Sequence, residues 1–241
     1  MPITVSAVPC LSDNYAWLLR APDGRLAVCD PGEAAPVAAA VEAAGGRLGL
    51  ILLTHHHGDH IAGTAELVRR YGAKVMGAAA DAHRLPPLDF AVRPGDRVEV
   101  LGLPAEVLAS DGHTRGHVAY DFPDCGILLC GDTLFSLGCG RLLEGTAEEM
   151  FASLSRLAAL PPETLVCCGH EYTESNARFA LTVEPDNPAL KARAEEVARL
   201  RAEGRATVPS TIGQELATNP FLRAKDAATL ARIRAAKDAF R

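Results

Sequence analysis

The sequence has no long apolar stretch and few large aromatic side chains. Of its 241 residues one is Trp and four are Tyr, although 48% are apolar. No run approaches the roughly 20 residues that a membrane-spanning helix needs. The opening MPITVSAVPC has neither a basic start nor a sustained apolar segment. We therefore expect no membrane segment and no signal peptide, and one large core with or without a smaller appendage.

The cysteines do not follow the pattern of a disulfide-bonded protein. Their number, seven, is odd, and Cys167 and Cys168 are adjacent. Reduced and mostly buried thiols fit a cytoplasmic protein better. The sequence also has no internal repeat and no low-complexity tract, so we expect neither a solenoid nor a disordered linker.

The net charge of −6 is unevenly distributed. Residues 187–241 contain eleven Lys and Arg against six Asp and Glu, a net of +5, whereas the other 186 residues carry thirteen against twenty-four, a net of −11. This asymmetry predicts that the C-terminal segment meets a small anionic ligand, although a solvated face of amphipathic helices explains the charge equally well. The overall acidity argues against a nucleic-acid partner.

The hydrophobic pattern predicts an α/β domain over residues 1–171 and an α-helical domain over residues 172–241. Strands are predicted in ITVSAVPCL, YAWLLRA, RLAVCD, LGLILLT, KVMGA, RVEVL, AEVLAS, GILLC and TLVCC. Helices are predicted in EAAPVAAAVEAAGG, IAGTAELVRRYG, AEEMFASLSRLAAL, ESNARFALTV, PALKARAEEVARLRAEG and AATLARIRAAKDAF.

The segment THHHGDH (54–60) holds four of the eight histidines and follows an apolar strand. A polar loop is the simplest explanation for one or two such residues. In an extended segment, however, His55 and His57 point to one side and His56 to the other, while Asp59 and His60 open the next helix. This spacing predicts two metal ions side by side, one near each pair of side chains.

Three further donors follow predicted strands, where the sites of α/β proteins gather. They are His113, Asp132 and His170, and each comes directly after a glycine that lets the backbone approach closely. A chance spread of histidines would seldom put so many at strand ends, so we predict a metal-ligand set. His83 is expected at the surface, and His117 is expected to orient a ligand.

The motifs resemble those of a known family. THHHGDH resembles the THxHxDH signature of the metallo-β-lactamase superfamily, and GHTRGH, GDT and GHEY follow in its usual order. Within the superfamily, the chain is similar over almost its whole length to the glyoxalase II, or hydroxyacylglutathione hydrolase, family. The segments that carry this closer resemblance are LFSLGCGRLLEGT (134–146), CCGHEYT (167–173), TNPFLR (218–223) and RAAKDAF (234–240).

The resemblance implies an α/β fold, the four-layer αββα metallo-β-lactamase sandwich, with a C-terminal helical domain that binds substrate. It also implies two divalent metal ions, zinc foremost, with iron or manganese accepted by the same nitrogen and oxygen ligands. The implied ligands are His55, His57 and His113 for the first ion, Asp59, His60 and His170 for the second, and Asp132 as the bridge.

The implied activity is hydrolysis of S-(2-hydroxyacyl)glutathione, such as S-D-lactoylglutathione, to a 2-hydroxy acid and glutathione, the second step of methylglyoxal detoxification. Asp59 and Asp132 would be catalytic, with water activated by the metal ions. A monomeric cytoplasmic enzyme with no nucleic-acid or membrane partner is expected. Many members carry an aromatic residue, often Tyr, where this chain has leucine at 143. The implied substrate contacts are Arg141, Leu143, Tyr172, Arg234 and Lys237.

Other functions of the same superfamily remain open from the sequence. A persulfide dioxygenase would need a single iron held by two His and one Asp, whereas all seven donors and the helical segment are present here. The acidic main domain disfavours a nuclease, a non-catalytic scaffold would not need every donor, and a β-lactamase should carry an export signal. Metal content near two per chain without oxygen consumption would separate a hydrolase from the oxygenase.

Overall fold

The computed structural model describes residues 3–240, which fall into two compact units. The first unit runs to Ala109 and also includes Gly116–Gly131, and the second comprises Ser110–Arg115 and the chain from Asp132 onward. This division differs from the predicted one because the chain leaves the first unit at residue 110, returns at 116 and leaves again at 132. The functional division into residues 1–171 and 172–241 stays a prediction.

A six-stranded mixed sheet forms the first half of the first unit. The first three strands are antiparallel to one another, and the last four pair in parallel, with the strand order following the sequence. The strands are β1 (Thr4–Cys10), β2 (Asn14–Arg20), β3 (Leu26–Cys29), β4 (Leu48–Leu52), β5 (Lys74–Ala78) and β6 (Phe90–Val92).

Helices connect the parallel strands of this sheet, as parallel pairing requires. They are α1 (Ala34–Ala43), α2 (Gly58–Ile61) and α3 (Thr64–Tyr71). Val37, Val41 and Leu67 on these helices belong to one buried cluster with apolar side chains of the sheet. Burying each such side chain contributes about 1.5–3 kcal/mol, which fixes the helices against the strands.

Four antiparallel strands complete the first unit, in the spatial order β10-β9-β8-β7. Every residue of the central strand β9 is buried, which explains why its sequence VAYDF does not alternate between apolar and polar residues. The strands are β7 (Arg97–Val100), β8 (Leu103–Ala109), β9 (Val118–Phe122) and β10 (Ile127–Gly131).

The second unit is mainly helical. Several of its helices begin with side-chain caps that satisfy free backbone amides: Thr146 and Glu149 form a capping box at α4, and Asn187 and Asp226 cap α6 and α8. The elements are β11 (Leu134–Phe135), β12 (Gly138–Cys139), α4 (Ala147–Ala158), β13 (Leu165–Cys168), α5 (Thr173–Val183), α6 (Pro188–Ala202), β14 (Ser210–Thr211), α7 (Ile212–Thr218) and α8 (Ala227–Ala239).

The nine predicted strands and five of the six predicted helices are confirmed with shifted ends, and the sixth helix is corrected. The predicted helix over residues 61–72 is divided at Gly63, whose amide donates to the Pro31 carbonyl at 2.9 Å. Its end is as predicted, because Gly72 caps α3 with a left-handed φ of 66°. The sequence missed β6, β9, β11, β12, β14 and α7, which are short or lack a clear period. Among residues 3–240, no helix is long and apolar enough to cross a membrane.

Candidate active site

Two parallel strands of the first unit bring Asp30 and Thr54 together, because Asp30 follows β3 and Thr54 lies just beyond β4. The Thr54 amide donates to Asp30 Oδ1 at 2.8 Å, and the Thr54 hydroxyl donates to Asp30 Oδ2 at 2.6 Å. Since its hydrogen is used, this hydroxyl accepts from Nδ1 of His55, 3.0 Å away. Nε2 of His55 therefore carries the lone pair that a metal ion needs.

Asp30 orients a second histidine in the same way. Nδ1 of His60 lies 3.1 Å from Asp30 Oδ2, and because a carboxylate accepts, Nδ1 carries the proton. Nε2 of His60 then faces Asp59 Oδ2 at 3.7 Å. Asn14 holds that carboxylate by donating from Nδ2 to Asp59 Oδ2 at 2.9 Å. A buried carboxylate that fixes the tautomer of metal-binding histidines is the usual support of such a site.

The remaining histidines of the first unit take different positions. Nδ1 of His57 lies 3.1 Å from Nε2 of His55, so these two side chains converge. His56 points elsewhere and pairs with Asp81 at 2.9 Å. His117 is buried and stacks on the His55 ring, with centroids 4.7 Å apart and planes at 21°. His117 thus contacts a predicted ligand, as expected, and the predicted surface residue at position 83 is exposed.

The second unit gathers the other three predicted ligands around one carboxylate. Asp132 Oδ2 lies 3.5 Å from Nε2 of His113 and 3.3 Å from Nε2 of His170. Nδ1 of His113 donates to the Arg141 carbonyl at 2.8 Å, which leaves Nε2 with a lone pair. The His170 ring stacks on Tyr172, with centroids 4.5 Å apart and planes at 7°. Asp132 is thus placed between two histidine donors.

These separations fit metal ligation. Ligands held tetrahedrally at about 2.1 Å from an ion lie about 3.4 Å from one another. The 3.1 Å between His55 and His57 and the 3.3–3.5 Å between Asp132 and its two histidines are of that size. In the first unit, Asp30, His55 and His60 also offer ligand atoms within 4.8 Å of one another. Each unit therefore holds a group of donors of the type and spacing that zinc and iron accept.

A cavity of about 440 Å³ lies within the second unit. It has a carboxylate and a histidine of the donor group at one part of its wall and three cationic side chains at another, so it suits an anionic ligand. It is lined by His113, Asp132, Phe135, Cys139, Arg141, Tyr172, Ser175, Asn176, Arg234, Lys237 and Phe240.

Arg234 and Lys237, two basic residues of α8, differ in burial, because the first is buried and the second is half-buried. Arg234 is only 6% exposed, and its guanidinium donates to the Cys139 carbonyl at 2.8 Å and pairs with Asp238 at 2.7 Å. Lys237 donates to the Ser175 carbonyl at 3.0 Å. Partial burial lowers the pKa of Lys237 to about 8, and the neighbouring positive charges of Arg234 and two further arginines lower it too.

Three other predicted contacts are at or near this cavity. Arg141 lines it, is exposed and lies 3.8 Å from the Asp238 carboxylate. Tyr172 lines it through the ring that stacks on His170. Leu143 is 58% exposed and is not among the lining residues.

The sequence interpretation missed several residues of this site. Asp30 could have been found, because it follows an apolar strand just as His113 and Asp132 do. Asn14 gave no signal, since its contact with Asp59 joins residues 45 positions apart. Ser175 and Asn176 looked like ordinary polar positions of an amphipathic helix.

Comparison with known proteins defines the class of the chain. Residues 12–170 match the metallo-beta-lactamase superfamily, and residues 171–240 match the family described as hydroxyacylglutathione hydrolase C-terminus. The first match covers more than half of the chain and contains all seven predicted ligands, of which His170 is its last residue. The chain therefore belongs to the metallo-beta-lactamase superfamily.

Full-length relatives narrow this class. A hydroxyacylglutathione hydrolase of Acidiphilium cryptum is 58% identical over 98% of this chain and 97% of its own length. One of Ruegeria pomeroyi is 54% identical over 100% of both chains. The chain belongs to the hydroxyacylglutathione hydrolase family, and it is an enzyme.

Solved structures agree with the fold. A crystal structure of ETHE1 from Myxococcus xanthus matches with a TM-score of 0.73 and 26% identity, over 98% of this chain and 90% of that one. TTHA1623 in a di-iron-bound form matches with a TM-score of 0.64 and 27% identity, over 90% and 99%. Because the relatives named hydroxyacylglutathione hydrolase match at 54–58% identity over nearly the whole chain, and residues 171–240 match the C-terminal region of that family, the hydrolase interpretation is favoured over the oxygenase alternative.

Proposed function

We propose that the protein hydrolyses S-(2-hydroxyacyl)glutathione thioesters, S-D-lactoylglutathione among them, to a 2-hydroxy acid and glutathione. The observation that carries this proposal is the cavity of the second unit, which combines Asp132 and His113 with the cations Arg141, Arg234 and Lys237. Glutathione is anionic, so these cations suit it. The relatives named hydroxyacylglutathione hydrolase support the same substrate class.

We further propose two divalent ions, held by the ligand set expected from the sequence: His55, His57 and His113 for one, Asp59, His60 and His170 for the other, and Asp132 for both. Zinc is the metal we propose first. Iron is the second candidate, because the similar structure of TTHA1623 is described as a di-iron-bound form. When bound, such ions acidify water and polarise a carbonyl group.

The seven cysteines all lie in the described chain, and none forms a disulfide. Reduced thiols support a cytoplasmic location, and we propose a monomer that needs no nucleic-acid or membrane partner.

The side chains of the site have separate tasks in this proposal. Asp30 keeps the histidines of the first unit in the ligand tautomer. Asp59, held by Asn14, accepts a proton or orients the attacking water. The leaving thiolate has a conjugate acid with a pKa of about 8.5, so no strong general acid is needed. Lys237 and Arg141 hold the thiol peptide through its charges, away from the bond that breaks.

One experiment tests both parts of the proposal. Purified protein from one metal-analysed sample is assayed separately on S-D-lactoylglutathione and on glutathione persulfide, while released thiol and dissolved oxygen are followed. We expect stoichiometric thiol release, about two metal ions per chain and no oxygen uptake. Oxygen consumption with one iron per chain would identify an oxygenase instead. Two metal ions without thiol release would contradict the substrate but not the metal centre.

A further inference from the structure

The hairpin formed by β11 and β12 carries part of the cavity wall on a turn that needs support. Phe135 and Cys139 line the cavity at the two ends of the hairpin, and Ser136 and Leu137 form the turn between its strands. Leu137 has a left-handed φ of 59°, which side chains other than glycine adopt rarely. Both turn residues are buried. Contacts with the rest of the second unit must therefore hold this turn.

Two polar residues around the end of α7 supply those contacts. Oε2 of Glu215 accepts from the Leu137 amide at 2.8 Å. Nδ2 of Asn219 donates to the Phe135 carbonyl at 3.1 Å and to the Gly138 carbonyl at 3.0 Å, so it contacts both strands. The two side chains also meet each other, with Asn219 Nδ2 3.0 Å from Glu215 Oε2.

The orientation of the Asn219 amide is fixed by its other side. Oδ1 of Asn219 accepts from the Phe221 amide at 3.0 Å, and a backbone N–H can only donate. The nitrogen must therefore face the hairpin. Asn219 of the TNPFLR segment thus has a structural task at the cavity wall, although no residue of that segment lines the cavity.

Burying the polar side chains of Glu215 and Asn219 costs free energy unless their polar atoms form hydrogen bonds. Glu215 and Asn219 are both fully buried, and burial raises the pKa of the Glu215 carboxyl. Oε2 of this carboxyl accepts from Leu137 and Asn219, whereas Oε1 is buried without a hydrogen-bond partner among the described residues, so an apolar residue would pack there at lower cost. The polar pair therefore selects one conformation of the hairpin.

We infer that Glu215 and Asn219 are positioning residues for substrate binding, which fix the turn of the hairpin and thereby place Phe135 and Cys139 on the cavity wall. The inference rests on the proposed use of this cavity for the glutathione part of the substrate. It assigns to the TNPFLR segment a role in affinity and not in the chemical step.

The test compares three variants of the full-length, metal-loaded enzyme. Glu215→Leu removes the acceptor, Glu215→Gln keeps an oxygen that can accept both hydrogen bonds, and Val197→Ala removes buried methyl groups from α6 as a control for lost packing. Steady-state kinetics on S-D-lactoylglutathione, metal content and amide hydrogen exchange of the peptide covering residues 132–140 are measured for each. Glu215→Leu should raise KM about tenfold, with kcat within about threefold of wild type. Its hairpin amides should exchange at least about tenfold faster. Glu215→Gln should restore both values.

Two results would overturn the inference. One is an unchanged KM and hairpin exchange in Glu215→Leu, and the other is an equal rise of KM in Val197→Ala, which would indicate a general loss of packing. Should Glu215→Leu not fold, Asn219→Ser replaces it, because it removes the amide donors and keeps the bond between Glu215 and Leu137. Absence of thiol release by the wild type would refute the proposed function itself, whereas normal wild-type kinetics with an unchanged variant would refute only the positioning role.

Discussion

The protonation of Lys237 should control substrate affinity near neutral pH. Burial lowers its pKa to about 8, so the side chain is charged below that pH and neutral above it. Its amino group lies 5.4 Å from the Phe240 ring centroid and donates to Ser175, and it lines the cavity with its hydrogen bonds directed at uncharged groups. We expect it to bind a carboxylate of glutathione only in the charged form.

The size of the effect follows from the strength of a charged hydrogen bond at a half-exposed site, about 1–1.5 kcal/mol, or roughly tenfold in KM. With a pKa of about 8, roughly nine-tenths of the side chain is charged at pH 7 and one-tenth at pH 9. KM of the wild type should therefore be about tenfold lower than that of Lys237→Met at pH 7, and close to it at pH 9. The turnover number should change little, because the contact is equal in the ground and transition states.

The assay is a set of KM values on S-D-lactoylglutathione between pH 6.5 and 9.5 for the wild type, Lys237→Met and Lys237→Arg. The arginine variant keeps its charge throughout this range, so its KM should lack the rise near pH 8. Titrations of the substrate and of the activated water are common to all three proteins and cancel in the ratios. A ratio of Lys237→Met to wild type that stays constant from pH 7 to 9 would refute the reasoning.

Four further changes test other parts of the molecule. Asp132→Ala should lower turnover by more than about a hundredfold and reduce metal content, whereas His56→Ala, which loses the pairing with Asp81 and no proposed metal ligand, should retain both; equal losses would refute the ligand assignment. Asp30→Ala should weaken metal affinity about 10- to 100-fold, measured by chelator competition, because two histidines lose their fixed tautomer. Arg234→Ala should lower the free energy of unfolding by about 2–3 kcal/mol in urea titrations, since it leaves the buried Cys139 carbonyl without its donor. Burial and a neighbouring carboxylate raise the pKa of Asp121 to about 6. Between about pH 4 and pH 6 the folded state therefore keeps this proton, whereas the unfolded chain loses it. The free energy of unfolding should fall as the pH rises through this range. Asp121→Asn should remove that fall and raise the free energy of unfolding at pH 8 by about 2 kcal/mol, and an unchanged value would contradict the raised pKa.

Much of the fold could be predicted because several strands of the first unit are largely buried and read as apolar runs. The segments around LAVC and LGLIL are of this kind, and both are strands of the parallel part of the sheet. β11, β12 and β14 could not be predicted, since two residues are too few for any period. Their existence depends on contacts distant in sequence, such as the bond from the Leu137 amide to Glu215, 78 positions away.

The part of the candidate site that could be predicted consists of histidines and aspartates that follow apolar strands. Histidines after an apolar run are rare enough to be noticed, and THHHGDH needed no structure. The charge count likewise selected the segment that contains Arg234 and Lys237. It could not tell that one of them is buried against a backbone carbonyl and the other lies partly buried beside two aromatic rings.

That difference changes what the basic segment does. If both cations were exposed, each would contribute to affinity alone, and both would be equally replaceable. Arg234 donates to Cys139 at the end of the same hairpin that Glu215 and Asn219 hold. It therefore stabilises the cavity wall and also contributes positive charge to the cavity. Lys237 makes no such bond to the hairpin among its described contacts and keeps a titratable charge. The two residues, three positions apart on one helix, should therefore separate in experiment: loss of Arg234 should affect stability and affinity together, and loss of Lys237 should affect affinity with a pH dependence of its own.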